Sequence, residues 1–293
     1  MGIKYLNKYL HEKCKTIKTM HLKNFANKTI VIDTSIYMYK FLADNALITN
    51  MAKMIRTFEI YKITPLFIFD GKPPPEKKEL LIKRNLQKNK AEEKYNELLS
   101  SSPNSKEQLI SLKNQFLRIT EVEVNQVKEF FDSKNIRYIS SPAEADPICV
   151  HLVNSNEAFA CLTEDMDMFV YGCHRILRNI DFKTNQVEYY VIQLILKELN
   201  ISYRHFKQIL VLSGTDYNIH HHINLYDIFS IYEKYKNQKD KTDDFYKWLQ
   251  EEYPSTIKDM DKLNHCYNMF DLSRYSIKET SKYYSKDERK NPS

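Results

Sequence analysis

Seven carboxylates in this 293-residue chain stand where apolar runs end or where helices begin: Asp33, Asp70, Glu144, Asp146, Asp165, Asp167 and Asp216. Singly, each has an ordinary explanation. "EDMD" at 164–167 is what a strand leaving a core looks like, and an acid in the first turn of a helix answers the positive end of its dipole. Gathered in one place, they would repel one another unless cations neutralised them, and hard oxygen ligands select Mg²⁺ or Mn²⁺. Two such ions about 4 Å apart are a standard arrangement for phosphodiester hydrolysis, one activating water and the other stabilising the leaving oxygen. A single structural ion would not need this many acids.

The elements that would gather them follow from apolar periodicity. "KTIVID" at 28–33, "PLFIFD" at 65–70 and "AFACLTED" at 158–165 read as strands, each finishing on a carboxylate. Helical stretches between them predict an α/β chain of right-handed βαβ units, whose parallel strands all end at one edge, where such folds bind ligands. From Thr34 to Lys62 the pattern reads as one long helical stretch. A short strand near Arg137–Ile139 leads into a helix opening near Pro142, with Glu144 and Asp146 in its first turn, and "FKQILVLSGTD" is an apolar run ending on Asp216. Between the second and third acidic edges, residues 76–99 are charged and helix-favouring. "SSSPNSKE" is a turn by composition, and a second helical stretch ends near Asn135. This predicts an α-hairpin inserted between strands. Lys77, Arg84 and Lys88 share one stripe of it, at i, i+7 and i+11. A solvated face and a phosphate-facing one are both open readings of that stripe.

With 42% hydrophobic and 13% aromatic residues, the chain can bury a sizeable core. No apolar run approaches the roughly 18 to 20 residues of a membrane span, and "MGIKYLNKYL" lacks the apolar stretch of a signal peptide. Myristoylation of Gly2 is not expected, because the sixth position is Leu6 rather than Ser or Thr. The five cysteines are scattered, which fits reduced thiols in an intracellular protein rather than a disulfide framework or zinc cluster. His220, His221 and His222 are adjacent, so their side chains cannot converge on one ion from a regular element, and no metal role is expected there. The net charge of +6 mildly favours a polyanionic partner.

Six segments, "MGIKYL", "VIDTSIYMYKFL", "FIFDGKPPPEKKELLIKR", "ISSPAEADPICV", "LTEDMDMFVYG" and "LSGTDYN", resemble in order and spacing the flap endonuclease family of structure-specific 5′ nucleases, over about residues 1–218. The resemblance implies a PIN-like 5′ nuclease fold with a central, mainly parallel sheet flanked by helices, an inserted helical arch over about 71–135 and a helical C-terminal part. It implies two Mg²⁺ ions, which Mn²⁺ can replace, and cleavage of DNA near the junction of a 5′ single-stranded flap with a duplex. Asp33, Asp70, Glu144, Asp146, Asp165, Asp167 and Asp216 match the family's metal-binding acids. Asp146 stands one methylene short of the glutamate in the "SEAEA"-type pair. Lys77 and Arg84 match the basic residues that reach the scissile phosphate. Tyr39 matches the tyrosine that stacks on the base beside the cut, Gly2 the glycine close to the DNA, and Lys88 continues the basic stripe.

The chain departs from the family after "LSGTDYN", where "IHHHINLYDIFSIYEKY" lacks the glycines of the hairpin that grips duplex DNA, often with K⁺. Residues 219–276 are therefore expected to form a degenerate helical DNA-binding region, and 277–293 a poorly ordered tail. No sliding-clamp motif is found. The expected protein is a monomer working on DNA in replication, repair or recombination, in the nucleus if cellular and at the replication site if viral. An RNA-cutting enzyme of the same fold and a non-catalytic DNA-binding factor remain as alternatives; retention of seven self-repelling acids speaks against the second.

Overall fold

The computed structural model describes residues 2–102, 105–218, 223–238 and 242–275; the His220–His222 run and the tail from Ile277 lie outside the described residues. Seven strands make one sheet: β1 (Lys18–His21), β2 (Thr29–Asp33), β3 (Thr64–Phe69), β4 (Tyr138–Ser140), β5 (Ala160–Leu162), β6 (Arg175–Asp181) and β7 (Gln186–Val191), in the order β1-β7-β6-β5-β2-β3-β4. The pairs β6/β5, β5/β2, β2/β3 and β3/β4 are parallel, whereas β7 runs antiparallel to both β6 and β1. The register sets Asp33 beside Ile68, and Ile32 beside both Phe67 and Leu162, so the central strands end nearly level.

Near-continuous apolar strands are what a parallel sheet covered on both faces requires. Val31, Leu66, Ile68, Ile139 and Cys161 point to one face, whereas Ile30, Ile32, Phe67, Phe69, Ala160 and Leu162 point to the other. On the second face lie α2 (Thr34–Ala43), α3 (Leu47–Ile60) and α6 (Glu121–Ser133), through Tyr37, Phe41, Met54, Phe58, Val127 and Phe131. The first face is covered by α1 (Leu6–Lys13), α7 (Asp146–Asn154), α8 (Asp167–Tyr171) and α10 (Tyr203–Leu212), with α9 (Ile192–Glu198) following β7. Helices α11 (Leu225–Asn237), α12 (Phe245–Glu252) and α13 (Met260–Met269) extend that same core through Phe229, Tyr235, Trp248 and Leu263. All five cysteines are buried and unpaired, and among the described residues no helix is long and apolar enough to cross a membrane.

The inserted hairpin consists of α4 (Lys78–Ser101) and α5 (Lys106–Phe116), which bury only Ala91 and Leu109 respectively and so project from the layered body. Polar and aromatic contacts hold its two arms together: Arg118 reaches Glu92 at 3.0 Å and Asn89 at 2.7 Å, and the Tyr95 and Phe116 rings meet at 5.4 Å.

The structure differs from the periodicity reading in several places. The long helical stretch after Asp33 is two helices, because Asn45 takes a left-handed conformation (φ 52°) between them. The helical stretch expected from the turn to Asn135 is also two helices, α5 and α6. Thr120 starts the latter with a capping box, in which Glu123 accepts the Thr120 N–H at 2.7 Å. Helix α7 begins at Asp146, so Glu144 sits in the loop before it rather than in its first turn. The strands β1, β6 and β7 went unread, although "RILRNID" and "QVEYYV" flank a turn in which Asp181 accepts hydrogen bonds from Lys183 and Thr184.

Candidate active site

Each acid reaches the sheet edge by a separate route. Asp33 is the last residue of β2, 5% exposed, and its Oδ2 accepts a hydrogen bond from the Thr163 hydroxyl at 3.0 Å. Asp70 follows β3, and its Oδ1 accepts the Ala145 N–H at 2.8 Å. That bond ties the exit of β3 to the loop carrying Glu144. Gly71 makes the approach possible, since a Cβ there would lie 2.2 Å from the Ser141 carbonyl oxygen. After β5, the Thr163 hydroxyl also accepts the Asp165 N–H at 3.0 Å, and Asp165 Oδ1 accepts the Asp167 N–H at 2.9 Å. Asp216 follows α10 through Gly214, whose φ of 99° lets the chain turn back to the edge.

Six of the seven acids, Asp33, Asp70, Glu144, Asp146, Asp165 and Asp216, line one cleft of about 170 Å³ together with Ser35, Ile36, Tyr39, Lys77 and Arg84. Asp167 is not on its lining. It is 2% exposed behind Asp165, and its Oδ1 has no hydrogen-bond partner among the described residues. Gly2 packs directly on this pair: with φ 81°, a Cβ on it would stand 2.7 Å from both Asp165 Oδ1 and Asp167 Oδ1. The N-terminal segment therefore abuts the acids themselves.

The basic stripe converges on the same cleft. Lys77 is not on α4 but in the 3-10 turn before it, 7% exposed, with Nζ 2.5 Å from Glu144 Oε1 and 3.4 Å from Asp216 Oδ2. Arg84 donates from one terminal nitrogen to both Asp216 oxygens, at 2.9 and 3.0 Å. Lys88 lies farther out, donating to the Leu117 carbonyl at 2.8 Å and covering the Tyr39 ring at 5.2 Å. Burial works against the Lys77 charge, but Glu144, Asp216 and Asp146 outweigh it and hold the ammonium above its ordinary range. Two groups escaped the reading of the sequence. Thr163 orients two acids, and the Tyr217 hydroxyl donates to Glu144 Oε2 at 2.7 Å. A hydroxyl immediately beside a carboxylate, in "LTED" and in "TDY", is the signal that could have found them.

Asp33, Asp146 and Asp167 are all held well above the usual carboxylate range. Burial is the largest cause for each, followed by neighbouring acids: Asp70 and Asp165 for Asp33, Asp165 and Asp33 for Asp146, Asp165 and Asp216 for Asp167. The cleft is lined by oxygen donors with no His or Cys, its buried acids are costly to ionise, and Asp167 offers an unpartnered oxygen; this donor set fits a hard divalent cation. Among the described residues, no three acids close on one point at ligand distance, and two of them are engaged by Lys77 and Arg84.

A raised folded pKa stabilises fully below the unfolded value near 4, and that contribution is lost as pH rises through the folded value. The three aspartates are therefore expected to make the metal-free protein lose stability as pH climbs from about 4 toward neutrality, and Asp167→Asn to lose less. Thermal denaturation in EDTA across that range checks this. A gap between the two proteins that widens with pH is expected, and a constant gap contradicts it.

Comparison with known proteins matches two families in order along the chain: the XPG N-terminal domain over residues 1–91 and the XPG I-region over residues 135–216. The unmatched stretch between them holds the outer part of the hairpin and α6. A protein named Flap endonuclease 1 from Nematostella vectensis is 29% identical over 236 residues, 74% of this chain and 62% of that protein. Flap endonuclease 1 from Methanococcus aeolicus is 31% identical over 221 residues, 69% of this chain and 66% of that protein. The chain spans less than two thirds of the length of these relatives. Among solved structures, the catalytic core of Rad2 in complex with DNA substrate superposes with a TM-score of 0.65 at 23% identity, covering 92% of this chain and 85% of that one. Flap endonuclease-1 from Methanococcus jannaschii gives 0.60 at 18% identity, covering 92% and 84%. The fold is thus the PIN-like α/β architecture of these proteins. With both XPG regions matched in sequence order, around one carboxylate cleft on that fold, the chain belongs to the flap endonuclease family.

Proposed function

We propose that the protein is a divalent-metal-dependent, structure-specific 5′ nuclease that hydrolyses phosphodiester bonds in branched or 5′-ended DNA during replication, repair or recombination. One observation carries this reading: two cations of the inserted hairpin and its base, Lys77 and Arg84, enter the same 170 Å³ cleft as six acids from four strand exits and a helix end. Acids alone would suit many metal sites. Acids facing fixed cations across a cleft suit a phosphate that needs negative ligands for its metal and positive partners for its own oxygens.

In this reading Asp33, Asp70, Glu144, Asp146, Asp165, Asp167 and Asp216 hold two Mg²⁺ ions, directly or through water, with Mn²⁺ able to substitute. The ions supply, when bound, an activated water and neutralisation of charge at the leaving oxygen. Lys77 and Arg84 leave Glu144 and Asp216 to orient the scissile phosphate. Thr163 keeps Asp33 and Asp165 aimed at the cleft through its two hydrogen bonds. Tyr39, 37% exposed on the lining, takes the base beside the cut on its ring. Lys88, resting on that ring, takes a neighbouring phosphate of the strand passing beneath α4. Residues 1–218 form the nuclease part, and α11–α13 are a reduced duplex-binding region. The protein works as a monomer in this reading. The site of action is the nucleus if the protein is cellular and the replication site if it is viral.

The experiment is cleavage of 5′-labelled DNA flaps, matched RNA flaps and blunt duplex by the full chain with Mg²⁺, Mn²⁺ or EDTA. Metal-dependent cutting confined to the DNA flap is expected. Cutting of the RNA flap alone would move the substrate class, because only RNA offers a 2′-OH. Binding without any cutting would make the protein a DNA-binding factor.

A further inference from the structure

Beside the acids, the N-terminal turn carries a residue that its own backbone does not favour. Ile3 and Leu6 are buried in the core, and Leu6 N–H donates to the Ile3 carbonyl at 3.3 Å, closing a turn over Lys4 and Tyr5. Tyr5 has φ 66° and ψ −2°, close to the third position of a type II turn, which calls for glycine or asparagine. Elsewhere among the described residues, the chain meets left-handed positions with glycine, at 2, 172 and 214, with asparagine, at 27, 45, 135, 156, 179, 185 and 200, and once with Lys62. Tyr5 alone is aromatic. A bulky side chain there is disfavoured, and an observed outlier of this kind is a reason to look for a use.

Its surroundings suggest one. The ring is 46% exposed and, among the described residues, has no hydrogen bond and no aromatic neighbour; the Lys4 ammonium lies 4.9 Å from its centroid. Lys8, three residues on in the first turn of α1 and 71% exposed, adds a second ammonium to this segment, 3.9 Å from Glu12. Gly2 touches Asp165 and Asp167, so three residues of chain leave Tyr5 no more than about 11 Å from Gly2. An exposed ring under one ammonium, with a second lysine a turn away in the chain and a carboxylate cleft alongside, suits stacking of a nucleobase.

We propose that Tyr5, flanked by Lys4 and Lys8, binds the substrate strand on the Gly2 side of the cleft, with a base on the ring and phosphates on the two ammoniums. This deepens the nuclease reading and rests on it. The conformation and the ligand pull in opposite directions, which makes the proposal testable. Tyr5→Gly relieves the turn, so its melting temperature is expected to rise by about 2 °C or more. The same variant loses the ring, so binding of a labelled DNA flap in Ca²⁺ and the KM for cleavage in Mg²⁺ are each expected to weaken about five-fold or more, with kcat little changed. Tyr5→Phe keeps both properties near those of the wild type. A Tyr5→Gly protein that binds and cuts as the wild type does overturns the proposal, as does one whose stability and binding fall together, which would make Tyr5 structural. If the wild type itself neither binds nor cuts DNA flaps, the nuclease reading falls first and takes this one with it.

Discussion

Replacing Asp165 and Asp167 together by asparagine is expected to slow cleavage of a 5′-labelled flap in Mg²⁺ by roughly 10³-fold, at least the scale of deleting one charge-stabilising group from an active site. The metal-free fold should at the same time become more stable. The two effects share a cause. Asp167 is almost wholly buried, carries an unpartnered oxygen and faces Asp165, so its ionisation opposes folding. Asparagine retains the Asp165 Oδ1 acceptor that takes the N–H of residue 167 at 2.9 Å, so the local turn survives while the charges go. Flap binding should be retained, because the cations and Tyr39 are untouched. Cleavage rates, flap affinity in Ca²⁺ and melting temperature with and without Mg²⁺ make the measurement. The Mg²⁺-induced rise in melting temperature should shrink in the variant. Equal cutting by both proteins would return these aspartates to an ordinary strand exit. A fall in metal-free stability would contradict the claim that their charges are held there against repulsion.

The acidic edge was legible because parallel strands leave a plain signature: short apolar runs, each finishing on a carboxylate, at Asp33, Asp70 and Asp165. Once three such runs are read as one parallel sheet, chirality and strand direction bring their ends together without further information. The cationic stripe was legible for a similar reason, since i, i+7 and i+11 share a helix face; yet Lys77 proved to sit before the helix and deeper than a stripe residue should. What the pattern could not give was contact chemistry. That Glu144 lies in a loop depends on the bond from Ala145 N–H to Asp70, 75 residues away in sequence, and no local propensity encodes that. The breaks at Asn45 and Thr120 were readable in principle. An asparagine in αL and a Thr-x-x-Glu box are local signals, but the apolar periodicity on either side continues across them and masks them. The β6–β7 hairpin and edge strand β1 were missed because they form the antiparallel end of the sheet, where polar residues alternate with apolar ones and the run of apolar residues is short.

Lys77 should separate the structural and chemical uses of one charge. In the metal-free protein its ammonium compensates Glu144 at 2.5 Å and Asp216 at 3.4 Å, both with side chains at most 15% exposed. Lys77→Ala leaves Glu144 without its cation in a poorly solvated cleft and Asp216 with Arg84 alone, at an expected cost of about 3 kcal/mol in stability. Arg84→Ala should cost less, because Arg84 is 35% exposed and contacts Asp216 through a single nitrogen, so Lys77 still serves Asp216 in its absence. Addition of Mg²⁺ should restore most of the stability lost in Lys77→Ala, since a divalent cation can neutralise the same two acids. It should not restore cleavage. If Lys77 turns from the acids to the scissile phosphate, no metal bound by those acids replaces it, and the single-turnover rate should stay roughly 10²- to 10³-fold down at saturating Mg²⁺. Thermal denaturation with and without Mg²⁺, alongside single-turnover cleavage of the same flap, reads both halves. A variant that regains stability and cuts within two-fold of the wild type would confine Lys77 to holding the acids apart, whereas recovery of stability without recovery of rate is what a phosphate-orienting cation requires.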